Sequence, residues 1–210
     1  MKILFEGDSI TDAGRVREDH DVRRYGQGYC LLAAAELESK APGKYDIQNQ
    51  AIDGSRVVDV YARIKSADWT LKPDVFSLLI GVNDVWHRVW NNDVEAPRYE
   101  RVYRMLIEDT KAALPGVKMM LLEPFALKGS ATEAYWEDWF RPEVEKRAEI
   151  VARLAKEYDV SFVPLQKLLD DACLRAPASN WLYDGVHPTP AGHRLIADAW
   201  MEVFRREIDN

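Results

Sequence analysis

Short apolar runs alternate with amphipathic helical patterns along almost the whole chain. The runs near 2–6, 45–49, 75–80, 119–122 and 160–163 predict strands, and helical spacing predicts helices near 28–39, 56–66, 97–114 and 142–158 and a last helix from Thr189 and Pro190. This alternation is typical of a parallel sheet whose connections are helices. We therefore expect an α/β fold.

The length of 210 residues fits one domain with a full hydrophobic core. No Ser/Gly-rich linker, persistent block of charge or repeat of solenoid or propeller period divides the chain. We therefore expect a single domain over residues 1–210. The two cysteines, Cys30 and Cys173, form neither a disulfide framework nor a zinc-ligand pattern.

The charge and hydropathy patterns exclude two classes of partner. The net charge is −7 and the basic residues are scattered, which disfavours a nucleic-acid surface. No stretch approaches the roughly 20 apolar residues of a membrane helix, and strand-like sequence begins at Met1 without an apolar leader. We expect a cytoplasmic protein with no nucleic-acid or membrane partner, and leave open whether it forms a homo-oligomer.

Two polar segments near opposite ends of the chain supply the groups of an activated serine. Segment 7–11 (GDSIT) follows the first predicted strand, and segment 184–188 (DGVHP) precedes the last helix. A serine hydroxyl is a weak nucleophile until an imidazole takes its proton, and a carboxylate fixes the orientation of that imidazole. Ser9, His187 and Asp184 supply these three groups, and the three-residue separation lets the carboxylate fold back to the ring.

Two further polar segments follow predicted strands, namely 51–54 (AIDG) and 81–84 (GVND). Because ligands of parallel α/β sheets bind at the carboxyl ends of the strands, all four segments should meet at one rim. Each segment alone has an ordinary explanation as a turn or a helix cap. Their joint placement favours a functional site.

The four segments resemble the four blocks of the GDSL or SGNH hydrolases, a family named for a serine, a glycine, an asparagine and a histidine. The matching residues are Ser9, Gly54, Asn83 and His187, with Asp184 three residues before the histidine, and the blocks cover nearly the whole chain. The resemblance implies a three-layer α/β/α sandwich with a central, mostly parallel five-stranded sheet of the flavodoxin-like kind.

The resemblance also implies an oxyanion hole made of the backbone amides of Ser9 and Gly54 and the side-chain amide of Asn83. Two departures from the family pattern stand out. Ile10 replaces the leucine of the GDSL name, and Ala51 stands where the second block usually has its first glycine. The second departure bears on the backbone path that aims the Gly54 amide.

Within the family, the chain is most similar to the small acetylxylan-esterase-like members, through segments 7–15 (GDSITDAGR) and 81–86 (GVNDVW). This implies a serine esterase that removes short acyl groups, acetyl above all, from sugars or xylo-oligosaccharides through an acyl-serine, with no metal or cofactor. Its substrate partner would be a small-molecule or oligosaccharide ester. The alternatives are a lipase, lysophospholipase or thioesterase of the same family, and an inactive carbohydrate-binding member.

A metal-dependent phosphoesterase is a rival enzyme class, but the chain lacks the histidine spacing of a two-metal site. Its candidate ligands would be Asp8, Asp53, Asn83, Asp84 and His187. Because carboxylates would repel a developing oxyanion, we expect Asp8 and Asp84 to be structural and to pair with backbone amides or loop cations.

Aromatic residues supply the candidate substrate contacts. Trp86 follows Asn83 by three residues and could wall the acyl pocket, while Tyr183 could stack on a sugar face. Four further tryptophans could rim the same mouth: Trp90, Trp136, Trp139 and Trp181. For Trp136 and Trp139, packing in the core or between subunits is an equally good explanation.

The other histidines have weaker claims to the site. We expect His20 to be solvated in a charged loop and His193 to cap or pack within the last helix. His87 and Arg88 could touch a substrate.

Overall fold

The computed structural model describes residues 1–17 and 22–209, and a five-stranded sheet forms its centre. The strands are β1 (Lys2–Gly7), β2 (Asp46–Asn49), β3 (Val75–Leu79), β4 (Lys118–Leu122) and β5 (Ser161–Val163). The α-helices of the described part are α1 (Ser9–Asp12), α2 (Tyr29–Lys40), α3 (Val57–Ala67), α4 (Val82–Trp86), α5 (Ala96–Ala113), α6 (Arg141–Glu157), α7 (Gln166–Cys173) and α8 (Pro190–Glu207).

Strands β1, β3, β4 and β5 divide their apolar side chains between two hydrophobic cores, one on each face of the sheet. In β1, Ile3 and Phe5 pack into the core that includes α2 and α8, whereas Leu4 packs into the core that includes α3 and α5. Successive side chains of a strand point to opposite faces, so both faces of β1 must be apolar. The three-layer α/β/α fold is confirmed, and every strand pair is parallel.

The strand order β2-β1-β3-β4-β5 reverses direction between β1 and β3. The connection after β1 runs through α2 on one face, and the connection after β3 runs through α5 on the other. Such a reversal opens a crevice at the carboxyl ends of the two strands, which is where ligands of this sheet type bind. Ser9 directly follows the end of β1, and Asn83 follows β3.

Most predicted elements lie within two residues of their observed bounds. The last helix begins as expected, since Thr189 Oγ1 accepts a hydrogen bond from Gly192 N–H at 3.2 Å and Pro190 occupies the first turn. The sequence did not predict α1, α4, α7 or the π-helical turn Trp136–Phe140. The first two are too short for a helical period to be seen.

Two sequence predictions concern features beyond the sheet. Among the described helices, none combines the length and apolar character needed to cross a membrane. The cytoplasmic location stays a prediction. His20 lies outside the described residues.

Candidate active site

Ser9 is the first residue of α1, and the turn that leads into it is capped by the preceding residue. Asp8 Oδ1 accepts a hydrogen bond from Ile10 N–H at 3.0 Å, as expected for a structural carboxyl group. Asp8 is buried, and burial raises the pKa of its carboxyl group to about 7 against the opposing effect of that hydrogen bond. The cap fixes the backbone at Ser9.

Ser9, His187 and Asp184 form one hydrogen-bonded chain. Ser9 Oγ lies 2.9 Å from His187 Nε2, and His187 Nδ1 lies 2.7 Å from Asp184 Oδ2. With its hydrogen on Nδ1, the neutral ring donates to Asp184 and accepts from the Ser9 hydroxyl. Asp184 Oδ1 also accepts from the backbone N–H groups of Val186 and His187, at 2.9 and 2.8 Å. The carboxylate folds back to the ring as the three-residue spacing predicts.

The hydrogen bonds of this chain shift the pKa values of both titrating groups. The bond to Asp184 raises the pKa of His187 against the opposing effect of burial, and the charges of Asp184, Asp8 and Asp53 add to it. Burial would raise the pKa of Asp184, but its bonds from His187 and Val186 outweigh that effect and lower it. Asp184 is therefore ionised at neutral pH, and its negative charge favours the protonated form of the His187 ring.

The Asn83 side chain lies at the start of α4, nearly buried at 4% exposure. One of its amide N–H groups donates to the Ser55 carbonyl oxygen at 3.1 Å, which fixes the orientation of the amide. The second N–H remains available, because a primary amide carries two. Within the described residues, the backbone N–H groups of Ser9 and Gly54 donate to no protein acceptor. Three donors are thus free for an oxyanion.

The loop that leads to Gly54 accommodates Ala51, which stands where the second block of the family usually has a glycine. Gly54 has φ of +72°, a left-handed conformation that glycine adopts at little cost. Ala51 is fully buried; its N–H donates to Asn49 Oδ1 at 3.1 Å and its carbonyl accepts from Arg15 Nε at 2.8 Å. The alanine side chain therefore fits the path that leads to Gly54.

Sequence reasoning missed a buried charged cluster behind these loops. Arg63 Nη2 donates to Glu6 Oε1 at 2.6 Å and to the Gly7 carbonyl at 3.3 Å, and Arg63 Nη1 donates to Ser55 Oγ at 2.9 Å. The Arg63 guanidinium therefore connects Gly7, which precedes Asp8 and Ser9, with Ser55, whose carbonyl oxygen orients Asn83. No spacing in the sequence connects positions 6, 55 and 63.

A second carboxyl group, Asp68, completes this cluster. Burial and the neighbouring Glu6 carboxylate raise the pKa of Asp68 to about 10, and burial also raises the pKa of Glu6. Asp68 is therefore protonated at neutral pH and can donate its hydrogen to Glu6. That bond gives a partner to one oxygen of each carboxyl group, and the other Asp68 oxygen receives no hydrogen bond from the described donors.

Asp84 follows Asn83 but takes no part in the Ser9–His187 chain. It is fully buried, and both of its carboxyl oxygens accept from Val57 N–H, at 3.0 and 3.1 Å. Burial raises its pKa well above the ordinary value. The expectation that Asp84 pairs with a backbone amide is confirmed.

A cavity of about 620 Å³ opens at Ser9 and His187. Tyr183 lies at this cavity, with its ring stacked on the His187 ring at 5.6 Å between centroids. Trp86 contacts the His187 ring at 5.8 Å and Phe140 at 6.5 Å. Tyr183 thus faces the cavity, whereas Trp86 packs between His187 and the core and is not among the described lining residues.

Among the described residues that line this cavity, the remaining aromatic candidates and His87 are absent. Arg88 packs over the Trp139 ring at 4.9 Å, and His87 contacts Trp90 at 5.2 Å. Trp136 is buried in the core, as the packing alternative anticipated. Trp181 packs partly buried against the same core.

His193 packs within α8 as expected, and it also lines the cavity at Ser9. Its Nδ1 accepts a hydrogen bond from Tyr29 N–H, the first residue of α2, at 3.2 Å. It therefore caps α2 rather than its own helix. A contact between residues so far apart has no signal in the local sequence.

In the ranges 1–17 and 22–209, no group of three His, Cys, Asp or Glu side chains is arranged to hold a metal ion. Three of the five candidate phosphoesterase ligands have other partners. Asp8 caps α1, Asp84 binds Val57 N–H, and His187 pairs with Asp184.

A parallel sheet in this order, with a Ser–His–Asp chain at its carboxyl edge, has an architecture that suits an ester hydrolase. A model of the GDSL-like lipase/acylhydrolase family matches residues 5–195. The chain therefore belongs to the GDSL-like lipase/acylhydrolase family, and its class is that of the carboxylic ester hydrolases.

Relatives from two bacteria agree with this membership. An acetylxylan esterase from Geobacillus stearothermophilus is 31% identical over 215 aligned positions, which cover 99% of this chain and 93% of the relative. A solved structure of that organism's acetylxylan esterase Axe2 superposes with a TM-score of 0.85 at 29% identity, covering 96% of this chain and 92% of Axe2. A GDSL-like lipase candidate from Parabacteroides merdae has a TM-score of 0.90 at 38% identity, with 96% and 94% covered.

Proposed function

We propose that this protein is a metal-independent serine esterase that removes acetyl groups from sugars or xylo-oligosaccharides. The hydrogen-bonded chain from Ser9 through His187 to Asp184 carries the proposal. It is accompanied by three N–H groups without an acceptor among the described residues: the backbone N–H groups of Ser9 and Gly54 and the second N–H of the Asn83 side chain. A nucleophile, an oriented base and free donors are the parts that acyl transfer needs.

In the acylation half-reaction, Ser9 Oγ attacks the ester carbonyl carbon while His187 Nε2 takes the hydroxyl proton. The carbonyl electron pair moves to oxygen, and the N–H groups of Ser9, Gly54 and Asn83 bind the resulting oxyanion. When the pair returns, the bond to the alcohol oxygen breaks, and His187 gives its proton to that oxygen. The alcohol leaves and the acyl group stays on Ser9.

Deacylation repeats the sequence with water in place of Ser9. His187 Nε2 takes a proton from water, whose oxygen attacks the acyl carbon and forms a second oxyanion at the same donors. Collapse breaks the bond to Ser9 Oγ, which recovers its proton from His187. Asp184 stays ionised throughout and stabilises the positive imidazole, consistent with its lowered pKa.

The relatives support both the residue roles and the substrate class. Solved structures of Axe2 include three described as catalytic mutants, in which an aspartate, a serine and a histidine are each replaced by alanine. The replaced aspartate and histidine are three positions apart, as are Asp184 and His187. Axe2 is also described as an acetyl-xylooligosaccharide esterase.

The test is hydrolysis of nitrophenyl esters from acetyl to octanoyl, with chelator present, followed by acetylated xylo-oligosaccharides. We expect a rate that falls steeply with acyl length and no turnover by Ser9→Ala. Ser39→Ala, at an exposed serine, is the matched control and should keep the wild-type rate. Near-normal turnover by Ser9→Ala would refute the nucleophile, and loss of activity with chelator would favour a metal-dependent enzyme.

A further inference from the structure

The cavity that contains Ser9 and His187 extends well beyond them. Its volume of about 620 Å³ lies within the range of small-molecule sites, and an acetyl group fills only a small part of it. We use "outer cavity" for the part lined by Gln27, Asp53, Tyr183, Pro190 and His193. With an acetyl group at Ser9, as in the proposed function, the outer cavity is left for the alcohol side of the ester.

His193 is held in one orientation at the wall of the outer cavity. Its side chain is nine-tenths buried, and Nδ1 accepts from Tyr29 N–H at 3.2 Å. Gly28 makes room for the ring, because a Cβ at that position would lie 2.7 Å from His193 Cε1. Since Nδ1 is the acceptor, the neutral ring carries its hydrogen on Nε2.

The Nε2–H group of His193 has no acceptor within the described residues. It is open to solvent, in contrast to His87 Nδ1, which is sealed from solvent without a partner. Burial, with a smaller contribution from His187, lowers the pKa of His193 to about 4. At neutral pH the ring is therefore an uncharged donor, suited to an acceptor oxygen of a neutral ligand.

The other side chains that line the outer cavity are of types that suit contact with a sugar ring. Gln27 and Asp53 are exposed polar side chains, able to donate to and accept from hydroxyl groups. Tyr183 leaves 60% of its surface exposed and holds its ring against His187, which offers a flat apolar face. A long alkyl alcohol would leave the Nε2–H group of the nearly buried His193 without an acceptor, which is unfavourable.

We propose that the outer cavity binds the saccharide that forms the alcohol part of the ester, with His193 Nε2–H donating to a sugar oxygen and Tyr183 packing on a sugar face. This inference rests on the proposed function, since it assigns one end of the cavity to the acyl group. It makes His193 a specificity-determining residue of the site.

Two substitutions separate the two nitrogen atoms of His193. In His193→Asn, the amide oxygen can still accept from Tyr29 N–H, but the distal donor is lost. In His193→Gln, an amide N–H is placed near the position of Nε2. His87→Asn is the matched control, because His87 is a partly buried histidine outside the described lining of the cavity.

The first readout is binding of xylotriose by calorimetry, which needs no turnover. We expect wild type, His193→Gln and His87→Asn to bind with similar affinity, and His193→Asn to bind about fivefold more weakly, the effect of one neutral hydrogen bond. Tyr183→Ala truncates an exposed ring and should weaken binding about threefold or more. Wild-type affinity in both His193→Asn and Tyr183→Ala would overturn the inference.

The second readout is the ratio of kcat/KM for acetylated xylobiose to kcat/KM for nitrophenyl acetate. The alcohol part of nitrophenyl acetate is nitrophenol, which is not a sugar. We expect this ratio to fall about fivefold in His193→Asn and to recover in His193→Gln, because only the sugar ester uses the lost donor. An equal loss on both substrates would mean that His193 acts only through the structure.

The two readouts separate this inference from the proposed function. Hydrolysis of nitrophenyl acetate by wild type without xylotriose binding would overturn the saccharide site and leave the esterase intact. Xylotriose binding with the expected Asn and Gln pattern, but no hydrolysis of any ester, would support the saccharide site and refute the esterase.

Discussion

The side-chain amide of Asn83 donates to the carbonyl oxygen of Ser55 at 3.1 Å, so the loops after β2 and β3 are held together at the candidate site. Ser55 is itself fixed, because its hydroxyl donates to the Ile52 carbonyl at 2.7 Å and accepts from Arg63 at 2.9 Å. An oxyanion donor whose orientation is set before the substrate arrives costs no reorganisation during the reaction. The geometry therefore predicts that Asn83 acts on the maximal rate.

Replacing Asn83 by alanine should lower kcat by about 10² to 10³ and change KM much less. The reason is that the amide meets full negative charge only in the transition state. Steady-state kinetics on nitrophenyl acetate measures both constants. Asn180→Ala, at an exposed asparagine, is the control; equal kcat in the two variants would place the oxyanion donors elsewhere.

Replacing Asp184 by asparagine should reduce kcat by about 10² or more, because the amide no longer stabilises a positive imidazole and can favour the wrong ring tautomer. The fold should persist, since the amide oxygen can still accept from the N–H groups of Val186 and His187. Asp171→Asn, at an exposed carboxylate, serves as control. A wild-type rate in Asp184→Asn would mean that another group orients His187.

The pH profile should follow the raised pKa of His187. The neutral imidazole is the active base, so kcat/KM should fall as the pH decreases through a midpoint above the ordinary 6.5. Asp184→Asn removes the largest cause of the raised pKa, while the Asp8 and Asp53 charges remain. The midpoint should therefore move to lower pH in the variant, and a shift to higher pH would contradict this explanation.

Replacing Arg63 by lysine should lower both stability and kcat. Lysine keeps the charge beside Glu6 but cannot reach Glu6, Gly7 and Ser55 together, and each lost bond to a charged group costs about 1.5–3 kcal/mol. Denaturant unfolding measures the first effect and kinetics the second. Arg153→Lys, in the exposed pair with Glu100, should cost at most about 1 kcal/mol; equal losses in both variants would deny Arg63 its positioning role.

The free energy of unfolding of the wild-type protein should decrease as the pH rises, and replacing Asp68 by asparagine should make this decrease smaller. The pKa of Asp68 is raised from 3.8 to about 10 in the folded protein, so the folded state holds a proton that the unfolded state releases. Between these two pH values the contribution of Asp68 to stability declines as the pH rises, by up to about 1.4 kcal/mol per pH unit.

Asparagine donates to Glu6 at every pH, so the variant should show a flatter decline. Urea unfolding of wild type and Asp68→Asn between pH 6 and pH 9 measures this difference. Parallel declines in the two proteins would show that Asp68 is not the titrating group.

The sheet and most helices were predictable because their signals are local. Apolar runs such as 75–80 and the stripe of α8 depend only on neighbouring residues. Segments 7–11 and 184–188 were also recognisable, since each places its chemistry within a few positions. The short helices α1 and α4 offered no full period, although both carry candidate catalytic residues.

Contacts between distant residues were not predictable. The orientation of the His193 ring depends on Tyr29 N–H, 164 positions away, and on the small size of Gly28. The Arg63 cluster likewise joins residues from β1, α3 and the loop before α3. A charged side chain at position 6 of a buried strand was the one available signal, because such a group needs a partner.

The hydrogen bond between Ser9 and His187 spans 178 positions of the chain. Ser9 follows β1 and His187 precedes α8. These two elements are in contact, because Trp200 of α8 packs against Phe5 of β1 at 5.0 Å between ring centroids. A chain that leaves the ribosome from its amino end therefore carries Ser9 without its imidazole partner until position 187 has been synthesised. The pairing of Ser9 with His187 therefore requires α8 to be docked on β1, and detachment of α8 would separate the two residues.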